Sequence, residues 1–262
     1  MARALGRSSS VANPQRIADD CRMTGPKRHG VARVLSKAGL ASRTLAAAWV
    51  REGRVSVAGR VVRDPEHPVR VGVDEVSVDG RPMGAATPVY LALNKPRGRV
   101  TTAADERGRA TVYRCFDGAG LPWVAPVGRL DQASEGLLLF SNDPAWAAAI
   151  TDPTCGPDKT YHVQVEGVPG AATLAAMVAG LEEGGERLSA KAVRLLRSGG
   201  KTAWLEVVLD EGKNRQIRRL AKAAGHPVRR LIRVAIGPLA LGELPKGQWR
   251  HLSVEEVEGL RA

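Results

Sequence analysis

The chain has 262 residues, with 39 Lys+Arg against 27 Asp+Glu and a formal net charge of +12. That length accommodates two domains, each with its own core, and that charge creates a positive potential suited to phosphate polyanions or an anionic membrane. Cys21, Cys115 and Cys155 form no C-x-x-C pair, and His29, His67, His162, His226 and His251 show no metal-ligand spacing, so disulfide scaffolds and metalloenzymes are disfavoured. No apolar run approaches bilayer-spanning length and no apolar h-region follows the N-terminal arginines, so a soluble cytoplasmic protein without membrane contact is expected.

Residues 1–30 scatter Arg3, Arg7, Arg16, Arg22, Lys27 and Arg28 among Ser, Pro and Gly without a sustained period, which predicts a disordered basic arm. From Val31 the pattern tightens. Val31, Val34, Leu35 and Ala38 fall at helical spacing, Gly39 suits a helix end, and Ser42 is placed to cap a second helix running through Trp49 and Val50 to Gly53. Val55-Ser56-Val57 and Val61-Val62 flank Ala58-Gly59 as a hairpin, and residues 75–78 offer a further strand. Between residues 33 and 63 the cations Arg33, Lys37, Arg43, Arg51, Arg54, Arg60 and Arg63 face one acid, Glu52. A merely solvated surface would intersperse acids, so this helix-helix-hairpin unit, residues 31–80, reads as a nucleic-acid binder, with Arg33, Lys37, Arg43 and Arg54 as phosphate contacts. Residues 81–88, rich in Pro and Gly, read as a linker.

Residues 89–262 read as a second, larger α+β domain with a mostly antiparallel central sheet. Val89, Leu91 and Leu93 alternate up to a Lys95-Pro96 turn. Leu137 to Phe140 continue an apolar run out of the loop Gly128-Arg129-Leu130-Asp131, the pattern of a strand buried on both faces. A loop mounted on such a strand is rigid enough to hold a reacting carboxylate, although loop aspartates are also ordinary turn residues. Asp143-Pro144 suits a helix start, Tyr161, Val163 and Val165 alternate as a strand, and a helix is expected through Leu174, Met177, Val178 and Leu181. Strands follow near residues 193–196 and 203–209. Residues 213–233 carry eight Lys or Arg and no acid, and Ile217, Leu220, Ala221 and Ala224 form the buried side of a helix ended by Gly225 and Pro227.

Four stretches in this order carry a family likeness: Leu93-Asn94-Lys95-Pro96-x-Gly98, then Gly128-Arg129-Leu130-Asp131 with Ser134-x-Gly136, then Lys159-Thr160-Tyr161, then Gly212-Lys213-Asn214-Arg215-Gln216-Ile217-Arg218-Arg219. Together they resemble the pseudouridine synthases, and Asn142-Asp143 after the strand resembles the RsuA/RluB branch. Leu35-Ser36-x-x-Gly39-x-x-Ser42-Arg43 followed by Gly53-x-Val55-x-Val57-x-Gly59 is similar to the S4-type RNA-binding domain. Pro144 departs from the glycine frequent after Asn-Asp in the branch.

The resemblance implies site-specific isomerisation of uridine to pseudouridine in ribosomal RNA, the 23S RNA ahead of the 16S RNA; an isomerisation needs no cofactor, and a monomer is the default expectation. It implies Asp131 as the catalytic residue, Arg218 as the guanidinium that keeps it ionised, and Tyr161 as the ring that stacks on the flipped base. Arg129 is expected to fill the vacated stack, with Lys95, Lys213, Arg215 and Arg219 contacting substrate. The alternative is a noncatalytic RNA-binding ribosome-assembly factor on the same scaffold. A methyltransferase or P-loop enzyme fits less well, since no G-x-G-x-x-G occurs and Gly200-Lys201-Thr202 lacks the upstream glycine.

Overall fold

The computed structural model of the protein describes residues 28–84, 87–103 and 105–261. They divide into two compact units, one comprising residues up to 35 and 43–83, the other residues 36–42 and 84 onward.

The first unit contains β1 (Arg28–Gly30), α1 (Val31–Lys37), α2 (Arg43–Arg51), β2 (Val55–Val57), β3 (Arg60–Val62), β4 (Pro68–Arg70), β5 (Val76–Val78) and β6 (Arg81–Pro82). Both helices are too short to persist alone; α1 is fixed by burying Val31, Val34 and Leu35, and α2 by burying Ala46 and Val50. Strands run β3-β2-β5-β6, with β1 and β4 as a separate pair. The β2–β3 turn takes left-handed φ at both Ala58 (48°) and Gly59 (76°), as a two-residue hairpin requires. Two sequence expectations need correction. Arg28–Gly30, assigned to the disordered arm, pairs with Pro68–Arg70, and Arg81–Pro82, assigned to the linker, pairs with β5. The remainder of the arm lies outside the described residues.

The second unit contains β7 (Tyr90–Lys95), a 3-10 turn (Val112–Phe116), β8 (Ala125–Val127), β9 (Glu135–Ser141), α3 (Pro144–Thr151), β10 (Lys159–Glu166), α4 (Ala171–Ala179), β11 (Leu181–Glu183), β12 (Glu186–Leu188), β13 (Ala192–Gly199), β14 (Thr202–Leu209), α5 (Gln216–Ala223), β15 (Val228–Ile236), β16 (Leu239–Ala240), β17 (Trp249–His251) and α6 (Val254–Gly259). A nine-stranded sheet in the order β13-β14-β10-β15-β9-β7-β17, with β16 beside β15 and β8 beside β9, forms the frame. All its pairings are antiparallel but one. β15 runs parallel to β9, with Ile232 opposite Glu135 and Arg233 opposite Gly136. The α+β class and largely antiparallel sheet expected from sequence are therefore found.

β9 is buried along its whole length. Leu137 and Leu139 pack with Trp146, Ile150 and Val257 on one face, and Leu138 and Phe140 pack with Leu91, Leu93 and Val112 on the other. Each such leucine contributes about 1.5–3 kcal/mol by leaving water. Asp143 caps α3, its Oδ1 accepting from the Ala145 and Trp146 amides at 3.0 Å, and Pro144 occupies the first turn, where its missing N–H costs nothing. The helix expected through Leu181 stops at Ala179, because Gly180 turns the chain at φ 103° and Leu181 begins β11. β15, nine residues long, was not anticipated.

Candidate active site

The Asp131 loop joins β8 to the start of β9 and is held from beneath by the Lys95-Pro96-x-Gly98 segment. Lys95 is fully buried at the end of β7, and its ammonium donates to the carbonyls of Ser134 at 2.8 Å, Asp131 at 3.1 Å and Pro96 at 3.2 Å. Gly98 N donates to Gln132 O at 2.7 Å and Gln132 Nε2 returns a bond to Gly98 O at 3.2 Å, while Thr101 Oγ1 donates to Leu130 O at 2.7 Å. Three bonds from one ammonium to backbone carbonyls fix the loop without consuming the Asp131 carboxylate. Burial pushes the Lys95 ammonium down to about 8, with Glu135 and Asp131 opposing the shift.

Two guanidiniums meet that carboxylate. Arg215 Nη1 stands 3.3 Å from Asp131 Oδ2 and Arg218 Nε stands 3.9 Å from the same oxygen. Arg215 precedes α5 with φ 48°, a left-handed conformation costly for a residue with a Cβ. Arg218, one turn on, is 14% exposed, and its Nη2 donates to Ala133 O at 3.2 Å and Ser134 Oγ at 3.3 Å. Burial and the nearby Arg215 push the Arg218 guanidinium down, and Asp131 pulls it back up. A guanidinium remains charged under any such displacement. The carboxylate is 37% exposed, so one side stays open to a substrate.

The sheet register carries the site further. Tyr161 lies opposite Val207 on β14 and Arg233 on β15, Arg233 lies opposite Gly136 on β9, and Gly136 lies opposite Lys95 on β7. Directly opposed residues present their side chains on one face. This row therefore brings Tyr161 and the Lys95 clamp to a single face, and Tyr161 touches both the core beneath α5 and the cluster around Leu93.

The other sequence assignments divide. Arg129, beside Asp131, is exposed, as are Arg33, Lys37 and Arg43 on the first two helices. Lys95 is corrected: with no exposed surface and three carbonyl acceptors it holds the loop and has no free donor for RNA. Arg219 binds Glu183 at 2.8 Å and Glu186 at 2.7 Å and so ties α5 to the β11–β12 hairpin. Lys213 donates to Arg187 O at 3.1 Å and pairs with Glu211 at 3.2 Å. Arg54 is bound to Asp79 at 2.7 Å and lies over Trp49, tying the start of β2 to the end of β5 and to α2. Arg215, expected to contact substrate, contacts Asp131.

Sequence reasoning missed Ser134, Glu135, Arg230 and Arg233. Glu135, 3% exposed, receives Arg230 at 2.8 Å and Lys246 at 2.5 Å. Burial pushes its carboxyl up, but these bonds outweigh burial and hold it below the usual range. Only Glu135, standing immediately before a glycine and an apolar run, hinted at a buried charge needing a partner. Among the described residues, no group of three or more His, Cys, Asp or Glu stands close enough to hold a metal ion, and no helix is long and apolar enough to cross a membrane.

The fold is thus a mostly antiparallel sheet carrying a carboxylate flanked by two arginines. The RNA pseudouridylate synthase family matches residues 89–223, and the S4 domain matches residues 31–74. The chain is 38% identical over 234 residues to "Ribosomal large subunit pseudouridine synthase B" of Bacillus subtilis (strain 168), covering 88% of this chain and 94% of that one. It is 40% identical over 228 residues to an "Uncharacterized RNA pseudouridine synthase" of Aquifex aeolicus (strain VF5), covering 86% and 91%. A crystal structure of a pseudouridylate synthase superposes with a TM-score of 0.62 at 28% identity, over 88% of this chain and 99% of that one. The chain belongs to the RNA pseudouridylate synthase family and is an enzyme that isomerises uridine in RNA. That membership sets aside the noncatalytic assembly-factor alternative.

Proposed function

We propose that this pseudouridine synthase modifies a single uridine of 23S ribosomal RNA, with Asp131 as the catalytic carboxylate. The observation that carries the assignment is the Asp131 carboxylate held by two guanidiniums on a loop locked from below. The large-subunit target draws its support from the Bacillus subtilis relative, a ribosomal large subunit pseudouridine synthase by name.

The chemistry follows from these parts. Pseudouridine formation breaks the C1′–N1 bond and makes a C1′–C5 bond in the same nucleotide, so it needs no external oxidant or reductant. Arg215 and Arg218 flank the Asp131 carboxylate and fix its orientation toward the reacting nucleotide. Flipping a base out of folded RNA costs a few kcal/mol, which the Tyr161 ring offsets by stacking. Arg129 occupies the stack the uridine leaves, and the exposed cations of the first unit supply sequence-independent phosphate attraction. The working form is a monomer.

The test is pseudouridine mapping of rRNA, by carbodiimide adduct and primer extension, in cells lacking the gene and in cells restored with wild type or Asp131→Ala. One 23S site is expected to disappear and to return only with wild type. Disappearance of a 16S site would overturn the subunit assignment. Restoration by Asp131→Ala would overturn the role of Asp131.

A further inference from the structure

The segment that locks the Asp131 loop also carries a cation that the protein itself leaves unused. Arg97 lies between Pro96, whose carbonyl accepts from Lys95 Nζ at 3.2 Å, and Gly98, which exchanges hydrogen bonds of 2.7 and 3.2 Å with Gln132. Its backbone is therefore held on both sides, on one of them by the residue that follows Asp131. Its side chain is exposed, and no described residue accepts a hydrogen bond from it or pairs with it. Arg70, Arg109, Arg194 and Arg250, by contrast, each hold a carboxylate at 2.5–2.7 Å.

The charge around Asp131 does not balance. Arg215 Nη1 and Arg218 Nε stand 3.3 and 3.9 Å from Asp131 Oδ2. Burial pushes the Arg218 guanidinium down, Arg215 and Arg97 push it the same way, and Asp131 is the one charge that opposes them. Arg97 thus shares a neighbourhood with the two arginines at the start of α5, and three guanidiniums meet one carboxylate. Like charges gathered in this way repel each other and work against the compact state. No further acid of the chain relieves that repulsion at Arg218, so the relief is left to something that binds. Arg215 is 51% exposed and Asp131 37% exposed, and with Arg97 exposed as well the excess charge faces solvent, where a ligand reaches it.

The substrate is RNA, and its anions are phosphates. A nucleotide whose ribose or base stands at Asp131 brings its own two phosphates as the nearest anions, and a guanidinium binds phosphate through paired, charge-assisted N–H donors. We propose that Arg97 is a substrate-contacting residue that binds a phosphate flanking the target uridine. The proposal rests on the reading of Asp131 as the group that meets the reacting nucleotide, and it deepens that reading. Holding the backbone beside a flipped base opposes the return of that base to the stack, so this contact acts on the extruded nucleotide and not only on capture of the RNA.

The experiment uses the full-length protein and a synthetic RNA hairpin spanning the mapped uridine. One charge-neutral methylphosphonate linkage is placed 5′ of that uridine, 3′ of it, or in the distal stem. One of the two flanking linkages is expected to slow wild type about 10–100-fold in single turnover, with the distal linkage nearly silent. Arg97→Ala is expected to slow the unmodified hairpin by a similar factor, to melt like wild type, and to lose no more than about 2-fold further with the sensitive linkage, because residue and phosphate are then two halves of one contact. Arg97→Lys keeps the charge without the paired donors and is expected to fall between the two while still sensing the linkage. If neither flanking linkage slows wild type, or if the linkage slows Arg97→Ala as much as it slows wild type, Arg97 holds no flanking phosphate and the proposal fails while the role of Asp131 stands. If Asp131→Ala turns the unmodified hairpin over like wild type, the placement of the reacting nucleotide is wrong, and the proposal falls with the reading it rests on.

Discussion

Lys95 spends each of its three ammonium protons on a different backbone carbonyl, two of them in the Asp131 loop, so it has none to lose without releasing a bond. Burial lowers it to about 8 from the ordinary lysine value of 10.5. The folded protein therefore binds fewer protons than the unfolded chain between about pH 8 and pH 10.5. From this lysine alone, global stability rises with pH through that window. The loop, however, loses a bond in the same window, and activity is expected to move the opposite way. A pH–rate profile should show kcat falling above pH 8, with KM for RNA unchanged, while the melting temperature does not fall in step. Lys95→Met is expected to retain under about 1% of kcat and to show no such limb, since its three carbonyl partners are left unmatched at about 1–3 kcal/mol each. A wild-type profile flat to pH 9.5 would remove Lys95 from the account. The sequence could not reveal this role: a lysine before a proline reads as a turn cation, and its inward course depends on carbonyls from residues 131 and 134.

The single parallel contact between β9 and β15 is the element on which the site depends, because it joins the strand that follows the Asp131 loop to the one beside Tyr161. Gly136 permits it. At φ 100° and against the Arg233 backbone, Gly136→Ala is expected to cost about 3 kcal/mol or more, lowering the melting temperature by roughly 6–12 °C for a unit of this size. Gly98→Ala is the control, with a comparable φ of 92° but open space around it, and should cost only about 1 kcal/mol. Equal losses would mean that backbone strain, not the strand approach, sets the requirement. At this scale the sequence was partly legible. The apolar run of β9, the alternation of β10 and β14 and the amphipathic α5 all follow from local periodicity. β15 does not, because Arg229, Arg230 and Arg233 break its apolar pattern. Two of those arginines lie within the sheet only because Glu135 and Leu137 O, about a hundred residues earlier, receive them. The meeting of Asp131 with Arg218 is equally nonlocal, and it was anticipated through family likeness and not through spacing.

Over the whole molecule, the 39 Lys and Arg do not contribute uniformly to RNA affinity, because a number of them already face carboxylates. Arg54, Arg70, Arg194, Arg219, Arg230 and Arg250 each face a carboxylate within 3 Å. Such pairs withdraw guanidiniums from phosphate binding, and the exposed ones among them add little stability. Among the described residues, Arg51, Arg60 and Arg63 are exposed outside these pairs, and so are the three cations Arg33, Lys37 and Arg43 on α1 and α2. Each phosphate neutralised releases counterions, so log K falls with log salt in proportion to the contacts made. Replacing all three by alanine is therefore expected to weaken rRNA-fragment binding and to reduce the salt slope by about 2–3. Because these residues do not touch the reacting base, kcat at saturating RNA should stay near wild type while KM rises. Arg54→Ala, removing a guanidinium already committed to Asp79, should change the slope by much less than one. Filter binding from 50 to 300 mM salt, read beside single-turnover rates, decides the matter. A triple variant with an unaltered slope would assign RNA capture to other cations, and an Arg54→Ala slope shift as large as a third of the triple's would show that pairing with carboxylates does not withhold an arginine from the RNA.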